Sequence, residues 1–139
     1  MKKIIILLLG LFLLTGCSKN ITCTKEVTEE GVKNTTKVTT KYNNKEIKKL
    51  ELMLSMELID EKTKNKTEFE TLTSTLKSFY DNYEEEGITV EETKEAKKYS
   101  LDINYKKNKI TNLKRILNVD LISGEKLKRS LEKDGYICK

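Results

Sequence analysis

From Val32 to Tyr42, and more strictly from Leu50 to Leu58, apolar or threonine side chains take every second place and polar ones fill the gaps. Successive side chains of a strand point to opposite faces, so this spacing sets one face on a core and leaves the other in water. An antiparallel sheet solvated on one side meets that demand. Residues 20 to 59 as a whole read as strands. A two-residue turn at Glu30-Gly31 sets Glu29 opposite Val32 and brings Cys23 beside Val38 on the inner face. For the next connection, a two-residue turn would set Val38 against Lys49. A three-residue loop, Asn43-Asn44-Lys45, sets Val38 against Leu50 and Thr36 against Leu52. A slip of one residue turns every side chain to the wrong face, so the three-residue loop is expected. It places Cys23, Val38 and Leu50 in one row.

The period then changes. Phe69, Leu72, Leu76, Phe79, Tyr80 and Tyr83 recur at spacings of three and four, which predicts a helix over residues 67 to 83. Thr67-x-x-Glu70 has the form of a capping box, and Gly87 can end the helix. The aromatic stripe reads as the face packed on the sheet rather than a ligand groove. Glu84-Glu85-Glu86, at the negative end of the helix dipole, reads as solvated charge rather than a cation site. Ile88 to Glu92 and Tyr99 to Tyr105 read as two further strands. Asn112 to Ile122 is ambiguous in period, and Ile110, Leu113, Ile116 and Leu117 suggest a short helical turn. Ser123 is expected to cap a helix through Lys133 with Leu127 and Leu131 on its apolar edge, Gly135 to stop it, and Tyr136-Ile137-Cys138 to return as a short edge strand. The expected class is α+β, an antiparallel sheet of five to six strands with two helices packed on one face.

The chain has 139 residues, no His, no Trp and no Pro. Lacking His, it has neither a Ser-His-Asp nor a Cys-His arrangement, nor any His-containing zinc site. No metal site and no cofactor are expected. The formal net charge is +5, and Lys outnumbers Arg so heavily that Arg115 and Arg129 are the only two arginines. Nucleic-acid binding calls for clustered Arg and stacking aromatics, and none is expected here.

The amino terminus carries the sharpest motif. Lys2 and Lys3 precede an apolar run, Ile4 to Leu14, of 11 residues. As a helix that run reaches roughly 16 Å, half of a hydrocarbon core of ~30 Å, so it suits an export signal better than a permanent span. Leu14-Thr15-Gly16-Cys17 follows at once and resembles the bacterial lipobox. That resemblance implies diacylglyceryl transfer to the Cys17 sulfur and cleavage between Gly16 and Cys17. Residues 1–16 are then a removed signal peptide, 17–22 a lipidated N-terminus with a short tether, and 23–139 a single domain. Ser18 to Thr22 would span at most ~20 Å, which keeps the domain against its membrane on the extracytoplasmic side. Cleavage lowers the formal charge to +3. Two acyl chains hold a protein firmly where one does not.

Cys23 and Cys138 remain, near the two ends of the mature chain. In an exported small domain an even pair reads first as a disulfide, with two free buried thiols as the alternative.

Several stretches resemble the YehR-like family of small bacterial lipoproteins: Thr40-Lys41-Tyr42-Asn43-Asn44-Lys45-Glu46-Ile47, Tyr83 to Ile88, Leu101-Asp102-Ile103-Asn104-Tyr105, and Leu131-Glu132-Lys133-Asp134-Gly135-Tyr136. The family pattern usually has a Gly in the hairpin where this chain has Asn43-Asn44. The resemblance implies an α+β lipoprotein and carries over no site residues.

The functional expectation is a membrane-anchored, non-catalytic binding or accessory module of the cell envelope whose envelope partner is open. The alternatives are a structural or stress-related envelope protein with no ligand, and a carboxylate-based hydrolase. The carboxylates available to the last, Asp102 and Glu91 with Glu92, lie on strand faces expected to be exposed, and no converging partner is visible for them.

Overall fold

The computed structural model of the protein describes residues 18–43, 46–81, 88–105 and 123–139. They form one antiparallel sheet of six strands with two helices, an α+β fold. The strands are β1 (Lys19–Glu29), β2 (Val32–Tyr42), β3 (Ile47–Leu58), β4 (Ile88–Lys94), β5 (Lys98–Tyr105) and β6 (Ile137–Cys138); the helices are α1 (Thr63–Asp81) and α2 (Gly124–Lys133). Spatial order is β4-β5-β3-β2-β1-β6, so the last two residues of regular structure pair with the first strand.

The first hairpin turns at Glu30 and Gly31, both at positive φ (47° and 74°), as a two-residue turn matched to strand twist requires. Glu29 faces Val32 and Cys23 faces Val38, as the sequence predicts. Gly31 also has no room for a side chain, because a Cβ there would strike the Asn65 amide. Asn65 is buried and donates from Nδ2 to the Asp60 carbonyl at 3.1 Å, while the Gly31 carbonyl accepts from Ile59 N and Asp60 N. The turn and the start of α1 are thus locked together.

The second hairpin departs from expectation. Tyr42 faces Ile47 and Lys41 faces Lys49, so four residues, 43–46, join the strands and Lys48 is bulged. Asn43 N donates to Glu46 O at 3.0 Å, and Glu46 N donates to Asn43 Oδ1 at 2.9 Å, closing the connection. The three-residue loop is therefore incorrect. Val38 faces Leu52 rather than Leu50, and Thr36 faces Leu54 rather than Leu52. The extra loop residue reverses parity and the bulge restores it, so the inner face stays inner. Ile47 and Leu50, three apart, both end up buried.

One row now crosses the whole sheet: Cys138, Cys23, Val38, Leu52, Ile103 and Val90. Its middle four members are buried to within 1% of full burial. The next row toward the start of β1 is Ile21, Thr40, Leu50, Tyr105 and Ile88, all buried. Thr40 is admitted because its hydroxyl donates to Lys49 O at 3.0 Å. The opposite face carries Thr22, Thr24, Thr35, Thr39, Ser55 and Ser100 among charged residues, the solvated side that the alternation implies.

α1 packs on the inner face through Phe69, Leu72 and Leu76. It begins at Thr63 and not at Thr67, so the expected capping box does not form: Thr67 lies inside the helix and its hydroxyl donates to Thr63 O at 3.2 Å. Thr71 and Thr75 repeat that bond to the carbonyl four residues back, each at 2.9 Å. The helix starts early because the Gly31–Asp60–Asn65 contacts already fix the chain before it. Tyr83 and Gly87, and residues 112 to 122, lie outside the described residues.

α2 follows its sequence closely. Ser123 Oγ accepts from Lys126 N at 3.2 Å, and Leu127 and Leu131 are buried. At its far end Gly135 (φ 86°) donates to Glu132 O, and Tyr136 N donates to Leu131 O at 3.0 Å. This is the Schellman arrangement that turns the chain into β6.

Candidate functional site

The cysteine pair sits at one edge of the sheet. Cys23 and Cys138 are directly opposed residues of β1 and β6, with Cα atoms 4.0 Å apart and sulfurs at disulfide-bonding distance, 115 residues apart in sequence. Next to them, Thr22 and Lys139 exchange both backbone hydrogen bonds at 2.9 Å. Cys23 is buried and Cys138 half-buried, so the pair belongs to the core row rather than to an accessible redox centre. Ile137, on the outward side of β6, is 71% exposed.

Beside this pair, Lys25 Nζ donates to the Asp134 carbonyl at 2.7 Å and lies 5.6 Å from the centre of the Tyr136 ring. Burial pushes the Tyr136 hydroxyl above its ordinary pKa, with the Thr36 hydroxyl acting the other way. Beyond β6, the edge of β1 that faces away from β2 has no paired strand from Lys25 to Glu29 among the described residues. Charged Lys25, Glu26 and Glu29 stand there, the residue types that discourage edge-to-edge pairing.

At the start of β1, Tyr42 is buried under the first turn of α2. Its hydroxyl donates to Glu125 Oε1 at 2.9 Å, and Lys19 Nζ reaches the same oxygen at 3.6 Å. Burial first, then Glu125, raises the Tyr42 pKa; the Tyr42 hydroxyl, with Lys19 adding to it, lowers that of Glu125. Cys17 and residues 1–16 lie outside the described residues. Ser18 is exposed, and β1 is already paired at Lys19, opposite Tyr42. Lys19 to Thr22, expected as tether, are therefore sheet. They are held because Ile21 reaches the core and Thr22 bonds to Lys139.

Two of the candidate carboxylates come together, where none was expected to have a converging partner. Glu91 and Asp102 are directly opposed on β4 and β5, on the solvated face. Glu92 differs from expectation. It lies on the helix side, where Lys77 Nζ of α1 meets its Oε2 at 2.8 Å and holds its pKa below the usual carboxylate value. Glu84-Glu85-Glu86 are outside the described residues. A cleft of about 520 Å³ between α1 and the β4–β5 turn is lined by other residues, including Phe69, Thr73, Lys94 and Lys97. An apolar hollow of about 230 Å³ lies where Leu72 and Leu76 meet Leu54 and Met56. Neither brings two of the candidate carboxylates together. Among the described residues, no group of three or more His, Cys, Asp or Glu could hold a metal ion, and no helix is long and apolar enough to cross a membrane.

Tyr99 is buried at 1% exposure, and among the described residues its hydroxyl has no partner in good hydrogen-bond geometry, although the Glu92 carboxylate lies near it. The nearby Glu92 carboxylate is taken by Lys77, so it acts on Tyr99 mainly as charge. Burial, then Glu92, pushes the Tyr99 pKa from 10.0 up to about 12. The folded state therefore favours the neutral form of the hydroxyl over the ionised one. That contribution is complete below the unfolded value of 10.0 and is lost as pH rises toward about 12, because the unfolded chain ionises first. Tyr99→Phe is expected to leave stability at pH 7 unchanged or raised by up to about 1 kcal/mol, since it removes an unpaired buried polar atom. It should also flatten part of the alkaline fall. Melting temperatures of both proteins from neutral pH to pH ~11 check this, and a clear loss at neutral pH would count against an unpaired hydroxyl.

Comparison with protein-family models, with curated proteins and with solved structures finds no match.

Proposed function

We infer that the chain is the precursor of a bacterial lipoprotein, cut before Cys17 and held on the extracytoplasmic side of a membrane by lipid on that residue, with a non-catalytic binding or accessory domain. The observation that carries the reading is Leu14-Thr15-Gly16-Cys17 standing directly behind a charged start and an apolar run of 11 residues. Two features of the domain support it. The Cys23–Cys138 pair suits a non-cytosolic compartment, and the fold begins at Lys19, just past the lipidation site, as a domain built to follow a lipidated cysteine would. The non-catalytic part is supported by Glu91 and Asp102 lying open on a strand face and by the absence of His. The YehR-like resemblance is consistent with this reading and rests on its quoted stretches alone.

Metabolic labelling with palmitate tests the anchor. The wild type is expected to take up label and to migrate as the shorter, cut form. Cys17→Ser is expected to lose all label and to persist as the uncut precursor. Labelling of Cys17→Ser, or none in the wild type, would sink the reading. Label decides rather than membrane recovery, because an uncut apolar run can itself cling to a bilayer.

A further inference from the structure

We propose that the end of the sheet carrying Lys19, Lys41, Lys48 and Lys49 docks on the anionic phospholipid headgroups of the bilayer that holds the anchor, fixing the domain upright instead of letting it tumble. The proposal rests on lipidation at Cys17 and adds an orientation and a ligand to it.

Three observations converge on that end. The first is reach. β1 is paired from Lys19, so Ser18 alone separates the sheet from Cys17, and one residue spans at most ~3.6 Å. The same end holds the last residues of β2, the first of β3 and the start of α2, because Tyr42 pairs with Lys19 and Ile47 and its hydroxyl meets Glu125. These groups cannot avoid the headgroup layer when the lipid is seated.

The second is which charges are already satisfied. Among the described residues, the acids of this end are Glu46, Glu51 and Glu125. Glu125 is engaged by Tyr42 and Lys19, and Glu51 by Lys49. Lys41 and Lys48 are exposed, and no described residue partners either of them. The third is a repulsive pair: Lys41 and Lys49 are directly opposed across β2 and β3, with Asn20 next in the row. Like charges in directly opposed positions destabilise a sheet. Among the described residues Glu51 answers Lys49 alone, whereas a layer of phosphates beneath the pair would answer both cations. The bulge at Lys48 adds a third cation to the same rim.

Each unpaired lysine close to an anionic leaflet favours the docked state by about fivefold, so Lys41 and Lys48 together bias it by about twenty-five-fold. That bias weakens with salt.

The chain has no Trp, so one introduced residue reports position without background. Acylated full-length protein carrying Asn20→Trp at the rim, or Thr28→Trp at the far end of β1, is placed in vesicles containing headgroup-nitroxide lipid as quencher. Phosphatidylcholine vesicles are compared with phosphatidylcholine–phosphatidylglycerol vesicles. The rim reporter is expected to be strongly quenched in the anionic vesicles and the far reporter hardly at all. Adding Lys41→Glu, Lys48→Glu and Lys49→Glu together should abolish the rim quenching while circular dichroism stays unchanged; should that triple variant misfold, high salt on the parent protein gives the same reading. Equal quenching of the two reporters, no dependence on phosphatidylglycerol, or indifference to both the charge reversal and salt would overturn docking while leaving the anchor intact. Absence of label from palmitate in the starting protein would instead remove the anchor, and docking with it.

Discussion

Replacing Cys138 with serine is expected to lower the free energy of unfolding by about 4 kcal/mol. The two cysteines are 115 residues apart, so the bond closes residues 23 to 138 into one loop. In the chain-entropy description such a closure restricts the unfolded ensemble by about 4–5 kcal/mol, with native-state effects able to reduce it. Few native contacts are at stake on the folded side, because β6 has only two residues and Ile137 points outward. Stability of a domain this size is about 5–15 kcal/mol, so the loss is a large share. Urea unfolding with and without reductant checks it. Wild-type protein in reductant should unfold at the midpoint of Cys138→Ser, and the variant should not respond to reductant. Equal midpoints for oxidised wild type and variant would show that the sulfurs stand together without a bond.

The second large effect is Gly124→Ala. By helix propensity alone this change should stabilise α2 by up to about 1 kcal/mol, since alanine is the best helix former. The packing says the opposite. A Cβ on Gly124 would fall inside van der Waals contact with the Tyr42 ring, which is itself buried and tied through its hydroxyl to Glu125. Either the ring moves and loses that hydrogen bond, or the first turn of α2 lifts and loosens Leu127 and Leu131 from the core. Overpacking of this kind costs typically about 1–3 kcal/mol, and the upper end is expected here because the contact is with a rigid ring. A double-mutant cycle with Tyr42→Leu measures it, and the smaller partner should recover most of the loss. A stabilised single variant would mean that propensity outweighs packing at this position.

What the sequence made legible follows how locally each feature is determined. The Cys23–Val38 register could be read because Glu30-Gly31 permits a tight turn and parity does the rest. The Ser123 cap and the Gly135 stop were legible for the same reason, each being set by residues within one helical turn. The second hairpin was legible in parity and not in register. Its signal was present in Ile47-Lys48-Lys49-Leu50, where two core residues stand three apart and so demand an extra residue in the strand. Thr67-x-x-Glu70 misled because the start of α1 is fixed by Asn65 meeting Gly31, a contact between segments that share no local pattern. The Lys25–Asp134 and Tyr42–Glu125 contacts join residues 109 and 83 apart, and no spacing rule anticipates them. Glu92 shares the parity of Ile88 and Val90, so its face was legible in the alternation of the strand, and only the lysine it meets on α1 was not.

The pairing of β1 from its first residue has a mechanical consequence. With the lipid at Cys17, any pull between the membrane and the far end of the domain runs along the axis of β1. The rungs joining β1 to β2, from Lys19–Tyr42 to Glu29–Val32, are then loaded together in shear instead of opening one after another. On the other side of β1 the cysteine link to β6 lies across the same line of tension. A domain tethered through a floppy leader would first stretch that leader. With its anchor at Cys17, this one would pass load straight into the long β1–β2 ladder, as a peg driven along the grain resists being drawn.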